Sequence, residues 1–235
     1  MLYTRAVIAV LYDVHGNRAA LDAVLADARV RGADRFVLGG DVALFGPEPE
    51  ATVEALRALE PATWIRGNGE RWTAWPDEAP DNPVVPPAIE ACRAALGGAL
   101  VDELGALPER TEHERTLYVH ASPVSDVRSF MPEPAGDEPE LLQHVRAPRL
   151  VFGHTHLPFR RAAGDVELVN PGSVGMPFDG DPRAAYAVVG DDGRLEHVRV
   201  AYDHAASAAK MRARWPGAAW AETVARRLEQ ARMEV

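Results

Sequence analysis

Five short segments of this 235-residue sequence combine aspartate, histidine and asparagine side chains able to bind a hard or borderline metal ion. They are Asp13-Val14-His15-Gly16-Asn17, Gly40-Asp41, Gly67-Asn68-Gly69, His120, and Gly153-His154-Thr155-His156. Carboxylate oxygen, imidazole nitrogen and amide oxygen form a donor set suited to manganese, iron or zinc, and the lack of any thiolate disfavours a structural zinc site. On extended backbone, residues i and i+2 point the same way, so Asp13 with His15, and His154 with His156, can each aim at one point. Singly, an Asp-x-His or a Gly-Asp is common at strand ends and turns. The joint occurrence carries the signal. The other histidines, His113, His144, His197 and His204, lie in polar or helical contexts and read as solvated.

The elements that must position these residues can be read from periodicity. Ala6 to Tyr12 is a continuous apolar run, as expected of a strand buried on both faces. Leu21, Val24, Leu25 and Ala28 then recur at helical spacing within Asn17 to Arg31. The unit repeats with Arg35 to Leu38, a helix from Glu48 to Leu59, and Thr63 to Ile65 ending in a glycine-flanked turn. Thr116 to Val119 and Leu150 to Phe152 are further short strands, ending at His120 and at the His154/His156 pair. This alternation predicts an α/β core whose ligands bind outside the carboxyl ends of the strands of one sheet. Residues 72 to 87, with five prolines, cannot form a regular helix, and residues 123 to 139 are a second irregular stretch. Both follow polar motifs and are placed to wall a site. Val166 to Val169, Ala185 to Val189 and Leu195 to Val200 read as strands, and the tail from His204 as helical with a break at Trp215-Pro216-Gly217. Trp220, Val224 and Leu228 form an apolar stripe that predicts packing on the parent sheet, with a second copy of the chain as the alternative partner.

Composition narrows the function. With 35 acidic and 25 basic residues the formal charge is −10, and Lys210 is the only lysine, which argues against a binder of long nucleic acids. Cys92 is alone, so no intrachain disulfide can form and a reducing, cytoplasmic setting is the simpler expectation. The thiol reads as a small buried group. The apolar run before Asp13 is too short to span a bilayer, so no membrane association is expected.

The series LYDVHGN, GGDVALFGP, RGNGE, VHASP, VFGHTHLP and NPGSVGMP, spread over residues 7 to 178, resembles the calcineurin-like metallophosphoesterases, in particular their small bacterial phosphodiesterase-like branch. The resemblance implies a four-layer α/β/β/α sandwich, here over residues 1–202, with a helical extension over 203–235 packed on the same domain. It also implies two divalent metal ions, manganese first, with iron, zinc or nickel as alternatives. By the family pattern Asp13, His15, Asp41 and His156 would hold one ion. Asp41, Asn68, His120 and His154 would hold the other, with Asp41 bridging. The activity implied is hydrolysis of a small phosphoester by a metal-bridging hydroxide. The alternatives are a scaffold that keeps the fold without catalysis, as in the similar retromer subunit, or a protein phosphatase.

Two departures from the pattern matter. Tyr12 stands where many relatives have serine before the first aspartate, which implies a change in packing only. Gly69 stands where the family's commonest form has a histidine thought to protonate the leaving group or clamp the phosphate. Loss of a positioned acid costs roughly 10² to 10⁴ in rate when the leaving group is poor, so diesters with good leaving groups are the expected substrates. Arg71, with Asn68, is the candidate substrate contact, and Arg71 or His113 the candidate substitute donor.

Overall fold

The computed structural model describes residues 6–233. Its first half runs β1 (Ile8–Leu11), α1 (Arg18–Val30), β2 (Arg35–Leu38), α2 (Pro49–Arg57), β3 (Ala62–Trp64), α3 (Asn68–Ala74), α4 (Val85–Leu96) and α5 (Gly98–Gly105). The second runs β4 (Arg110–His113), β5 (Thr116–Val119), α6 (Glu138–Leu141), β6 (Arg149–Val151), β7 (Phe159–Ala163), β8 (Val166–Asn170), β9 (Ala184–Val189), β10 (Leu195–Val200), α7 (His204–Arg214) and α8 (Ala219–Gln230). The strands form two five-stranded sheets, ordered β10-β9-β1-β2-β3 and β4-β5-β6-β8-β7. β1, β2 and β3 run parallel in the first, and β5, β6 and β8 in the second. Each parallel set sends its carboxyl-end loops to one edge. The two sheets of the α/β/β/α sandwich that the family resemblance implied are present, where the strand–helix alternation alone suggested one, and the candidate metal-binding motifs are divided between them.

Period-two alternation explains the layering. Along β1, Ala9 and Leu11 join the core under the helices, with Leu21, Val24, Leu56, Ile89 and Val224. Ile8, Val10 and the adjoining Tyr12 face the other way, meeting Val37, Tyr118, Val151 and Val169 between the sheets. Tyr12 donates its hydroxyl to the Val151 carbonyl at 3.2 Å, tying one sheet to the other. On the outer face of the second sheet, Leu150, Phe152 and Leu168 are covered by Phe130 and Leu141. The outer helical layer there is one turn, α6, and the irregular segment before it does most of the covering. Phe130, 1% exposed, anchors that segment, and its removal should cost about 3–5 kcal/mol.

Several boundaries differ from the sequence reading. The 72–87 stretch holds the end of α3, a 3-10 turn at Pro76–Glu78 and the start of α4. Pro86 and Pro87 sit in the first turn of α4, where a missing N–H loses no helical bond. Strands β4 and β7 had no periodic signal because both are edge strands rich in charge, as edges tend to be. His197 is half-buried rather than solvated, its Nε2 2.8 Å from the Asn170 carbonyl, while His113 and His144 are exposed and His204 half-exposed. The tail forms α7 and α8 around the anticipated break, and Met211, Trp220, Val224 and Leu228 are buried in the core beneath the first sheet's helices. α8 touches α4. Among the described residues, no helix is long and apolar enough to cross a membrane.

Candidate metal centre

Asp13 and His15 follow β1, Asp41 follows β2, and Asn68 opens α3 after β3. His120 follows β5, and His154 and His156 follow β6. The structure brings all seven together at the shared edge of the two sheets. Asp13 Oδ1 is 3.6 Å from His156 Nε2, and His15 Nε2 is 3.1 Å from His156 Nε2. Asp41 faces both ways, with Oδ2 3.8 Å from His15 Nε2 and Oδ1 3.5 Å from His120 Nε2. The Asn68 amide lies 2.9 Å from His120 Nε2 and 2.8 Å from His154 Nδ1. The i, i+2 pairs converge, but not through extended backbone. Asp13, His15, Asp41, His154 and His156 all have positive φ, between 49° and 67°. Non-glycine residues rarely adopt this left-handed region, and each such residue costs of order 1–3 kcal/mol.

The local chemistry calls for cations. His15, His120 and His156 each place Nδ1 within 2.8 Å or less of a backbone carbonyl, those of Leu44, Gly39 and Met176. Such bonds put the proton on Nδ1 and leave Nε2 as a lone pair aimed at the site. Two lone pairs at 3.1 Å, as on His15 and His156, repel unless a positive charge lies between them. Asp13 Oδ1 is buried without a hydrogen-bond partner among the described residues. The Asn68 amide lies at the same point as the His120 and His154 lone pairs, where its NH₂ donates to both; turned over, its oxygen would join them around a cation. Burial pushes the Asp13 carboxyl well above its ordinary range, with the Asp41 charge adding to it. Burial also raises Asp41 to about 7 against the opposing Gly69 N–H bond. It pushes His15 down to about 4 and His154 to about 3. Unprotonated imidazoles and unpaired buried carboxylates fit divalent ions, whose charge would offset the desolvation of both acids.

Residues behind the site hold it in shape, and sequence reasoning gave them no role. The buried Glu70 carboxylate accepts the backbone N–H groups of Asp41, Val42 and Gly67 at 2.7–2.8 Å, fixing the Asp41 turn. Its spacing from Gly67 is the helix-capping pattern x-x-x-Glu, a readable signal. Asn17, grouped by sequence with the metal donors, instead caps α1 and donates to the Gly175 carbonyl at 2.8 Å. The NPGSVGMP segment braces the first loop from below. Ser173 Oγ and the Gly175 N–H both donate to the Asp13 carbonyl, at 2.7 and 3.0 Å. A Cβ on Gly69 would lie 2.9 Å from Asp41 Oδ1, whose bond from the Gly69 N–H is 2.6 Å, so a side chain here presses on that carboxylate.

Two clefts meet the centre. A polar one of about 560 Å³ is lined by Arg66, Arg71, His120, Ser122 and Asp126. Arg71 is held there by Asp126, through Nε at 2.5 Å and a terminal nitrogen at 2.8 Å, and by Glu78 at 2.8 Å. An apolar one of about 430 Å³ opens on His15, Asp41, Asn68, His154 and His156. The proline-rich stretch does wall this cleft, through Pro80, Asn82 and Pro83. His113 lines neither cleft and stands exposed beside Glu114.

Residues 7–192 match the calcineurin-like phosphoesterase superfamily domain. The crystal structure of a metallophosphoesterase from Sphaerobacter thermophilus superposes with a TM-score of 0.81 at 29% identity, covering 96% of this chain and 99% of that one. An uncharacterized protein of Methanocaldococcus jannaschii, MJ0912, is 29% identical over 224 residues, 85% of this chain and 89% of its own length. Phosphodiesterase YfcE of Escherichia coli is 46% identical over a stretch of 43 residues, 18% of this chain and 23% of its own.

Proposed function

The chain belongs to the calcineurin-like phosphoesterase superfamily, and from that premise we propose that it is a dinuclear metal-dependent phosphodiesterase acting on a small phosphoester. The carrying observation is the convergence of acceptors on the Asp13 side of the site: Asp13 Oδ1 is unpartnered among the described residues, and His15 and His156 Nε2 lie 3.1 Å apart. Asp13, His15, Asp41 and His156 would hold one ion, and Asp41, Asn68, His120 and His154 the other. Divalent ions, manganese foremost, would supply Lewis acidity toward phosphoryl oxygens and a water of lowered pKa.

The chain's own residues then orient and select. Among the described residues two carboxylates, Asp13 and Asp41, belong to the candidate ligand groups, so two divalent charges would leave the centre net positive and draw a phosphoryl anion to it within an acidic protein. Asn68 contacts the phosphoryl group beside His120 and His154. Arg71 does so from the wall of the polar cleft, where Asp126 and Glu78 fix its guanidinium and absorb part of its charge. Gly69 offers no proton to the departing oxygen, which favours diesters with stable leaving groups over alkyl monoesters. The 43-residue likeness to a phosphodiesterase supports the same direction.

The manganese-loaded protein should hydrolyse bis-(p-nitrophenyl) phosphate with a higher kcat/KM than p-nitrophenyl phosphate. A strong monoester preference would overturn the diesterase assignment. Hydrolysis of neither, with metal bound, would overturn the enzyme reading and favour a scaffold.

A further inference from the structure

The apolar cleft is built for more than a phosphate ion. Phe178 stacks on His156 with ring centroids 4.4 Å apart and 12° between planes, and Phe45 lies 5.8 Å from His15. Each backs a candidate metal ligand and turns part of its ring to the cleft, where both are only half-buried. Trp72, Val84 and Val85 form further wall. A phosphate over the metal centre would leave these apolar faces wet.

One cation stands in this wall, Arg227 of α8. Its Nε donates to the Met233 carbonyl at 3.0 Å, and among the described residues no carboxylate pairs with its guanidinium. Arg212 and Arg214, on the neighbouring helix, are held by Glu222, Glu229 and Glu50. Burial alone lowers the Arg227 pKa, with nothing opposing it. The polar cleft differs, because its Arg66 and Arg71 are already bridged to Glu109, Asp126 and Glu78, and its third arginine, Arg110, is exposed to water and not partly desolvated. A partly desolvated guanidinium without a counter-charge is costly, and an incoming anion removes that cost.

We propose that the apolar cleft receives the organic half of the substrate, that this half is an aromatic group carrying a second anion, and that Arg227 binds that anion. The inference rests on the phosphoesterase reading above. It assigns the C-terminal helix a part in substrate selection and the proline-rich stretch a part in enclosing the aromatic group.

Three non-hydrolysable phosphonates separate the components: methylphosphonate, phenylphosphonate, and carboxyphenylphosphonate with the acid at the 3 or 4 position. Their affinities for the manganese-loaded protein would be read by calorimetry, and their inhibition of bis-(p-nitrophenyl) phosphate hydrolysis in parallel. Phenylphosphonate should bind about tenfold tighter than methylphosphonate through apolar contact. One carboxyl isomer should gain about tenfold more through a charge-assisted bond. Arg227→Met should erase the second gain, and Arg227→Lys should keep part of it, while Trp72→Ala should erase the first. No carboxylate gain for either isomer in the wild-type protein, or a gain that survives Arg227→Met, overturns the proposal without touching the phosphoesterase reading. Failure of methylphosphonate to bind, with no hydrolysis, overturns both. The wild-type series decides even where a variant does not fold.

Discussion

Replacing Glu70 by glutamine changes one oxygen in a carboxylate that never faces the clefts, yet it should reach the metal. Glu70 Oε2 accepts the amides of Asp41 and Gly67 at 2.8 and 2.7 Å, and Oε1 accepts that of Val42 at 2.8 Å. A glutamine with its carbonyl in the place of Oε2 keeps two of these bonds and sets an NH₂ against the Val42 N–H. Two buried donor groups, the Val42 N–H and the new NH₂, then face each other unpaired, at a cost of about 1–3 kcal/mol each. Alanine strands all three, for roughly 3–9 kcal/mol, softened by removing a carboxylate whose charge burial and then Asp41 already oppose. The stranded amides belong to the turn that holds Asp41 at φ 55°, so metal affinity should fall about 10–100-fold. Urea unfolding of the EDTA-treated protein measures the first effect, and calorimetric titration with manganese measures the second. Wild-type stability and affinity in both variants would refute the argument. Lost stability with unchanged affinity would refute its second half, leaving Glu70 a support of the fold alone.

Asp41→Asn should raise the melting temperature of the metal-free protein at pH 8 but not at pH 4, and should abolish its stabilisation by manganese. Burial raises this carboxyl from 3.8 to about 7, so its contribution is complete below pH 3.8 and lost as pH rises through 7; the asparagine spares the fold that loss, roughly one to a few kcal/mol. Gly69→Ala should lower kcat/KM for bis-(p-nitrophenyl) phosphate roughly tenfold or more by displacing Asp41, and Gly69→His should not create a monoesterase, since its Cβ meets Asp41 Oδ1 at 2.9 Å. Burial pushes the Cys92 thiol up to about 12, so a disulfide reagent at pH 8 should label nothing in the native protein and one thiol in urea.

What the sequence made legible was the chemistry at strand ends. Asp13, His15, Asp41, Asn68, His120, His154 and His156 stand out because apolar runs stop just before them, and the structure gathers all seven. The means of convergence was not legible. Spacing of two suggested extended backbone, but backbone left-handedness at five of these residues depends on support from elsewhere in the chain, such as Ser173 and Glu70. Arg227 was invisible for a related reason. Its helix showed only the apolar stripe of Trp220, Val224 and Leu228, and nothing local says that the residue before Leu228 lines a cleft with His15. Strands β4 and β7 escaped because edge strands answer to solvent on one side and lose the alternation that marks central ones.

The order of strands in the first sheet bears on when the site can exist as the chain is made. β1 carries Asp13 and His15 at its end, and it lies between β2 and β9. The last of the seven side chains leaves the ribosome at His156, but β9, which completes the pairing of β1, spans Ala184–Val189, and the brace beneath Asp13 comes from Ser173 and Gly175. A nascent chain halted at residue 156 therefore owns every donor and lacks the frame that aims the first two. Metal capture is on this account a late event in the life of the molecule, following the closure of β1 by a segment about 180 residues downstream, and a chain arrested before β9 should retain no manganese through gel filtration.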